Sequence, residues 1–127
     1  MKTVYICDLI GPALDWAVAD CEGALAPLGN LHRIGLQLFI GVGGDLGEPG
    51  QWVLYRPSTD WGQAGPIIER ENIEHSGSVG QPKHAQIYMG GYKWVDGHGP
   101  TFLVAAMRAY CISKKGPSVS IPADFCP

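Results

Sequence analysis

The chain has 127 residues, of which 46% are hydrophobic and 17% are charged. This composition predicts a single folded domain with its own core and argues against a disordered chain. Twelve acidic against nine basic residues give a formal charge of −3, which argues against a protein that neutralises long nucleic acids. Its apolar runs are shorter than the roughly 20 residues of a membrane-spanning helix, and its first residues lack a signal-peptide pattern. We therefore expect a cytoplasmic protein that engages neither membranes nor long nucleic acids.

The cysteines and histidines of the chain are scattered and show no metal-ligand spacing. They are Cys7, Cys21, Cys111, Cys126, His32, His75, His84 and His98. Because no C-x-x-C pair is present, we expect free thiols in a reducing compartment, and neither a metal site nor a cofactor.

Two segments have the pattern of α-helices. The first begins at Gly11-Pro12 and ends at Gly23, because proline suits the first helical position and glycine the residue after a helix. Its apolar residues recur at helical spacing, and its acidic residues Asp15, Asp20 and Glu22 are assigned to the remaining faces. The second begins at Gly99-Pro100-Thr101 and ends at Lys114-Lys115-Gly116-Pro117, with cations at the negative end of the helix dipole.

Short apolar runs between these helices predict strands. They are Leu36–Ile40, Trp52–Tyr55, Gln86–Met89 and Tyr92–Val95. The predicted fold class is therefore α+β: one domain over residues 1–127, with two helices packed on a small antiparallel sheet and long loops rich in glycine and proline. Residues 41–50 are expected to form a flexible glycine-rich connection, and residues 117–127 an irregular tail.

The glycine-rich connection does not qualify as a dinucleotide-binding loop. Gly41 and Gly43 fit the start of G-x-G-x-x-G, but position 46 is Leu46, and Glu48-Pro49-Gly50 cannot open the helix that would hold a pyrophosphate. The sequence also lacks the motifs of P-loop proteins, serine hydrolases and zinc metalloproteases.

The densest group of polar and aromatic residues is Tyr55–Arg70. Its prolines and glycines predict an irregular loop between a strand and the Ile67-Ile68 pair, and loops of this kind often present functional side chains. A purely structural interpretation is equally open: residues 58–60 would cap a turn while Trp61 fills the core.

Three segments of the chain resemble the phage NinX-like family of small proteins of unknown function. They are Leu14–Ala19 with Glu22-Gly23, Tyr55–Glu71, and Gly99–Thr101 followed by Leu103–Ser113. The resemblance implies an accessory phage protein acting in the cytoplasm of a bacterial host. The resemblance implies no activity, so any mechanism follows from the chemistry of the residues themselves.

Our leading hypothesis is that the chain binds and sequesters a small nucleotide-derived ligand at a pocket shared between the subunits of a homo-oligomer. Aromatic rings would stack on a base, guanidinium groups would pair with phosphates, and hydroxyls and amides would supply neutral hydrogen bonds. The predicted ligand-binding residues are Tyr55, Arg56, Ser58, Thr59, Asp60, Trp61, Gln63, Glu69, Arg70 and Arg108. Phage proteins that act as sponges for nucleotide signals of bacterial immunity provide the analogy.

Two other classes of function remain open. The chain would be a protein-interaction module if Trp52, Trp61 and Trp94 were exposed anchors for a host or phage protein. An enzyme, which we rank below binding, would use Asp60 and Glu69 as an acid/base pair. For Arg108 we expect a side chain that is solvated or lies at the edge of its helix, with pairing to either carboxylate as the alternative.

Overall fold

The computed structural model describes residues 1–24, 31–42, 51–76 and 83–126. Within them lie three α-helices: α1 (Pro12–Cys21), α2 (Trp61–Arg70) and α3 (Phe102–Lys115). The strands of these residues are β1 (Lys2–Tyr5), β2 (Leu31–Ile34), β3 (Gln37–Val42), β4 (Gln51–Leu54), β5 (Glu74–Ser76), β6 (Lys83–Gly90), β7 (Lys93–Gly99) and β8 (Ser118–Ile121). Two 3-10 turns, at Ile6–Asp8 and Ala123–Phe125, complete the regular structure of this part of the chain.

The strands form three antiparallel sheets. One pairs β1 with β8, the second has the order β2-β3-β4, and the third has the order β5-β6-β7. The predicted architecture of two helices on one small sheet was therefore wrong, although both helices and strands are present as expected. The extra pairing of β1 with β8 joins the two ends of the chain, and it places a strand within the segment that was expected to be an irregular tail. Of the glycine-rich connection, residues 43–50 lie outside the described residues.

The two predicted helices are confirmed, and their ends use the expected residues. In α1, Pro12 is the first helical residue, and Gly23 has a φ of +70° just after the helix. In α3, the Thr101 hydroxyl accepts a hydrogen bond from the Val104 N–H at 3.2 Å, while Gly116 has a φ of +84°. Such caps satisfy backbone groups that a helix end leaves unpaired, which is why they can be recognised from sequence.

The third helix, α2, replaces the irregular loop that was predicted between Tyr55 and Arg70. Asp60 caps it by accepting a hydrogen bond from the Gly62 N–H at 2.9 Å, and Ala64 and Ile67 are its buried residues. Pro66 lies inside the helix, where it costs a backbone hydrogen bond. Burial of the apolar face and the Asp60 cap therefore outweigh the low helix propensity of the local sequence.

The core is built around α3, which packs on β6 and β7 and on α1. Gly97 in β7 makes this close approach possible, because a Cβ atom there would lie 2.2 Å from the Ala105 carbonyl oxygen and 2.6 Å from the Ala109 nitrogen. The helix α1 packs against α3. None of the helices in the described part of the chain combines the length and the apolar character that crossing a bilayer requires.

Candidate functional site

A cleft of about 240 Å³ lies between the start of α1, the β2–β3 turn and the segment that follows β4. It is lined by Gly11, Pro12, Asp15, Leu36, Gln37, Leu38, Leu54, Tyr55, Arg56 and Thr59. Five of these side chains are apolar or aromatic and four are polar, and such a mixture is common for small-molecule sites. Asp15 is the one carboxylate among these lining residues, so they do not provide the several oxygen ligands that a bound divalent cation needs.

Asp15 is the most unusual residue of the cleft because it is a carboxylic acid that is only 3% exposed. The backbone N–H of Ser58 donates a hydrogen bond to its Oδ1 atom at 2.8 Å. Burial raises the pKa of Asp15 from 3.8 to about 6, and the hydrogen bond from Ser58 and the positive charge of Arg56 offset only part of this rise. A titratable group perturbed by burial in a cleft is a candidate functional residue.

Ser58 adds a second buried polar group beside this carboxyl. The residue is 1% exposed, and its hydroxyl makes no hydrogen bond to any described residue. It lies near enough to contribute to lowering the pKa of Asp15. Two buried polar groups, the Asp15 carboxyl and the Ser58 hydroxyl, therefore lie close together at this place.

The segment between Leu54 and Thr59 is held by the side chain of Gln63 in α2. Its Nε2 donates to the Leu54 carbonyl at 2.7 Å, and its Oε1 accepts from the Arg56 N–H at 2.7 Å. The Thr59 N–H donates to the Arg56 carbonyl at 3.0 Å and closes a turn. These bonds set the backbone from which the exposed Arg56 side chain reaches the rim of the cleft.

Tyr55 forms one wall of the cleft and is itself buried. Its backbone N–H donates to the Leu38 carbonyl at 2.7 Å, which joins the end of β4 to β3. Burial, and after it the negative charge of Glu22, raises the pKa of the Tyr55 phenol above its ordinary value. The ring is therefore neutral at physiological pH and offers an aromatic surface.

Three of the other predicted residues are not among those that line the cleft. Trp61 is 60% exposed and stacks on Phe102, with ring centroids 5.8 Å apart and planes 27° from parallel. Asp60 caps α2 and Gln63 braces the backbone, as described above. The turn-capping interpretation is thus confirmed for Asp60, whereas the expectation that Trp61 fills the core was wrong.

Arg70 and Arg108 take part in the packing of helices. Arg70 donates to both carboxylate oxygens of Glu22, at 3.2 and 2.7 Å, and links the end of α2 to the end of α1. Arg108 donates to the Leu9 carbonyl at 2.9 Å and to the His98 carbonyl at 2.7 Å. Arg108 is partly exposed, as expected for a side chain at the edge of its helix, but its partners are backbone carbonyls and not Asp60 or Glu69.

Asp60 and Glu69 lie at opposite ends of α2. Nine residues of helix separate them by about 14 Å along the axis, whereas the two carboxyl groups of a glycosidase are roughly 5 to 9.5 Å apart. The structure therefore gives this pair no common position for a reacting bond.

Asp15 is the site residue that sequence reasoning missed. It lies three residues before Val18, a member of the apolar stripe of α1, and residues three apart share a helix face. That position at the edge of the stripe was the available signal. The backbone N–H that bonds to its carboxyl belongs to Ser58, which is 43 residues away in the chain.

The described residues thus define a small mixed α+β protein with a largely apolar cleft built over one buried carboxyl group. The family model described as Bacteriophage P22, NinX, matches residues 5–114. Because this range covers most of the chain, the chain belongs to that phage family, which confirms the resemblance inferred from the sequence. All residues that line the cleft fall within the matched range. No curated protein matches the chain.

Proposed function

We propose that this phage protein binds a small nucleotide-derived ligand in the Asp15 cleft and sequesters it in the cytoplasm of the bacterial host. The observation that carries the proposal is the buried Asp15 carboxyl, placed in an apolar cleft whose rim includes Arg56. An ionised carboxylate accepts hydrogen bonds from the N–H groups of a base. A guanidinium at the rim pairs with a phosphate.

The size of the cleft supports a ligand group of this kind. Its volume of about 240 Å³ is below the roughly 300–1,000 Å³ of pockets that enclose drug-sized molecules. The cleft therefore holds one flat ring system and leaves the rest of a nucleotide outside, close to Arg56. Leu38, Leu54 and Tyr55 supply the apolar and aromatic surface against which a base packs.

Sequestration is favoured over turnover by the chemistry of the same lining. Acid/base catalysis commonly uses two groups with different protonation states, and Asp15 is the one carboxylate that the described residues contribute to the cleft. The Thr59 hydroxyl is already engaged with the Arg56 carbonyl, at 3.4 Å. We therefore expect the ligand to be released unchanged.

Titration calorimetry with nucleoside monophosphates, cyclic dinucleotides and ADP-ribose derivatives tests the proposal. We expect at least one of them to bind the wild-type protein and to lose affinity in Asp15→Asn and Arg56→Ala. Glu69→Gln is the matched control, because it removes an exposed carboxylate outside the cleft. Chromatography of the bound compound should recover it intact. If no compound of the three groups gives heat, the proposal is refuted.

A second candidate function, a protein-interaction module, is favoured by the exposure of three tryptophans. Trp52, Trp61 and Trp94 are 45%, 60% and 44% exposed, and exposed tryptophans are frequent anchors of protein interfaces. Pull-down from a bacterial lysate distinguishes the two functions. A stoichiometric partner that is lost in Trp61→Ala but kept in Asp15→Asn would favour the interaction module.

A further inference from the structure

The hydrogen-bonding capacity of Asp15 specifies more than a general affinity for bases. An ionised carboxylate has about four acceptor positions on its two oxygens, and the Ser58 N–H occupies one of them on Oδ1. Recognition by Asp15 therefore depends on its remaining acceptor positions, at the wall of the cleft that it lines. A carboxylate pairs best with two N–H donors side by side, as in its bidentate pairing with guanidinium.

Of the common bases, guanine presents such an edge. Its N1–H and N2–H groups are adjacent donors and its O6 is a neighbouring acceptor. Adenine and cytosine each place a ring nitrogen acceptor beside their amino group, and an acceptor facing a carboxylate is repelled. Uracil has a single N–H between two carbonyls. The charge of Asp15 therefore discriminates between the bases in addition to attracting donors.

Gln37 is the residue of the cleft that we consider for the complementary donor. It begins β3 and lines the same cleft as Asp15, and its side-chain amide carries two N–H donors. A base held by Asp15 through adjacent N–H groups gains further specificity if a donor meets its carbonyl. Guanine, with O6 next to N1–H, is the base that satisfies both requirements.

We propose that the cleft recognises the guanine base of a nucleotide, with Asp15 accepting from N1–H and N2–H, Gln37 donating to O6 and Arg56 pairing with the phosphate. This inference rests on the proposed function, since it names the chemical class of ligand for the same cleft. Its distinguishing element is the N2 amino group, because hypoxanthine differs from guanine by that group alone.

The test is titration calorimetry at neutral pH with the 5′-monophosphates of guanosine, inosine and adenosine. We expect the guanosine nucleotide to bind about tenfold or more tightly than the inosine nucleotide, because inosine forms one charge-assisted hydrogen bond fewer. Binding of the adenosine nucleotide should be weaker still. In Asp15→Asn the difference between guanosine and inosine should largely disappear, whereas Glu69→Gln should retain it.

The outcomes separate this inference from the proposed function. Binding that depends on Asp15 but is equal for guanosine and inosine, or stronger for adenosine, would overturn guanine recognition and leave nucleotide binding in place. Absence of binding for all three, together with the rest of the panel, would overturn both. If Asp15→Asn does not fold, the affinity order of the wild-type protein for the three nucleotides still decides the question.

Discussion

The wild-type protein should lose stability as the pH rises from about 4 to about 7, and Asp15→Asn should remove this pH dependence. Burial raises the pKa of Asp15 in the folded state from 3.8 to about 6. Between these values the folded protein keeps a proton that the unfolded chain releases. Increasing pH therefore favours the unfolded state through this window, and the effect is complete above the folded-state pKa.

The magnitude follows from the same two values. Each pKa unit corresponds to about 1.4 kcal/mol, so a rise from 3.8 to about 6 makes the folded state less stable by about 3 kcal/mol once Asp15 is ionised. The residue is 3% exposed, so solvent screens this cost very little. Asn cannot ionise and should show no such loss, whatever its own constant effect on stability.

Urea unfolding at several pH values measures this difference, because the free energy of unfolding is extrapolated to water at each pH. The matched control is Asp20→Asn, which changes a carboxylate on the same helix that lies 3.4 Å from Lys115 at the surface. That variant should keep the loss attributed to Asp15. If Asp15→Asn loses as much stability as the wild type over the same range, the buried carboxyl is not its origin and the reasoning is refuted.

Three further changes test other parts of the structure. Gly97→Ala should destabilise the fold by about 3 kcal/mol or more in thermal unfolding, since its Cβ would meet the Ala105 carbonyl oxygen at 2.2 Å. Gln63→Leu should cost about 1 kcal/mol, speed hydrogen exchange at the Arg56 amide that it braces, and weaken ligand binding. Arg70→Ala should cost at most about 1 kcal/mol, less at high salt, and leave ligand affinity unchanged, because Arg70 is half exposed and pairs outside the cleft.

The parts of the fold that could be predicted from sequence are those with local signals. Pro12 and Thr101 mark the starts of α1 and α3, and glycines mark their ends, since each of these residues acts through backbone groups a few positions away. The helix α2 carried one such signal, the N-cap Asp60, but other residues of the segment argued against a helix. Gly62 and Pro66 are typical of loops, and burial of the apolar face of α2 by residues distant in sequence supplies the stabilisation that the local sequence does not indicate.

The candidate site was predicted in part for the same reason. The chain around Tyr55 and Arg56 was identified because its composition is unusual, and both residues line the cleft. Asp15 was not identified, because its hydrogen-bond partner Ser58 lies 43 residues away. The role of Arg108 depends on a carbonyl 99 residues away. Contacts at such distances follow from the tertiary fold, which local patterns do not encode.

The charge of Asp15 is the feature that a structural role does not explain. Holding the Ser58 N–H requires an acceptor oxygen, and the amide of Asn would provide one without the cost of burying a negative charge. Binding a ligand through adjacent N–H donors, in contrast, gains strength from that charge. The two roles therefore predict opposite consequences for Asp15→Asn above the folded-state pKa. A structural carboxylate would leave ligand affinity unaffected, whereas a binding carboxylate would make the variant lose affinity while its fold is maintained or stabilised.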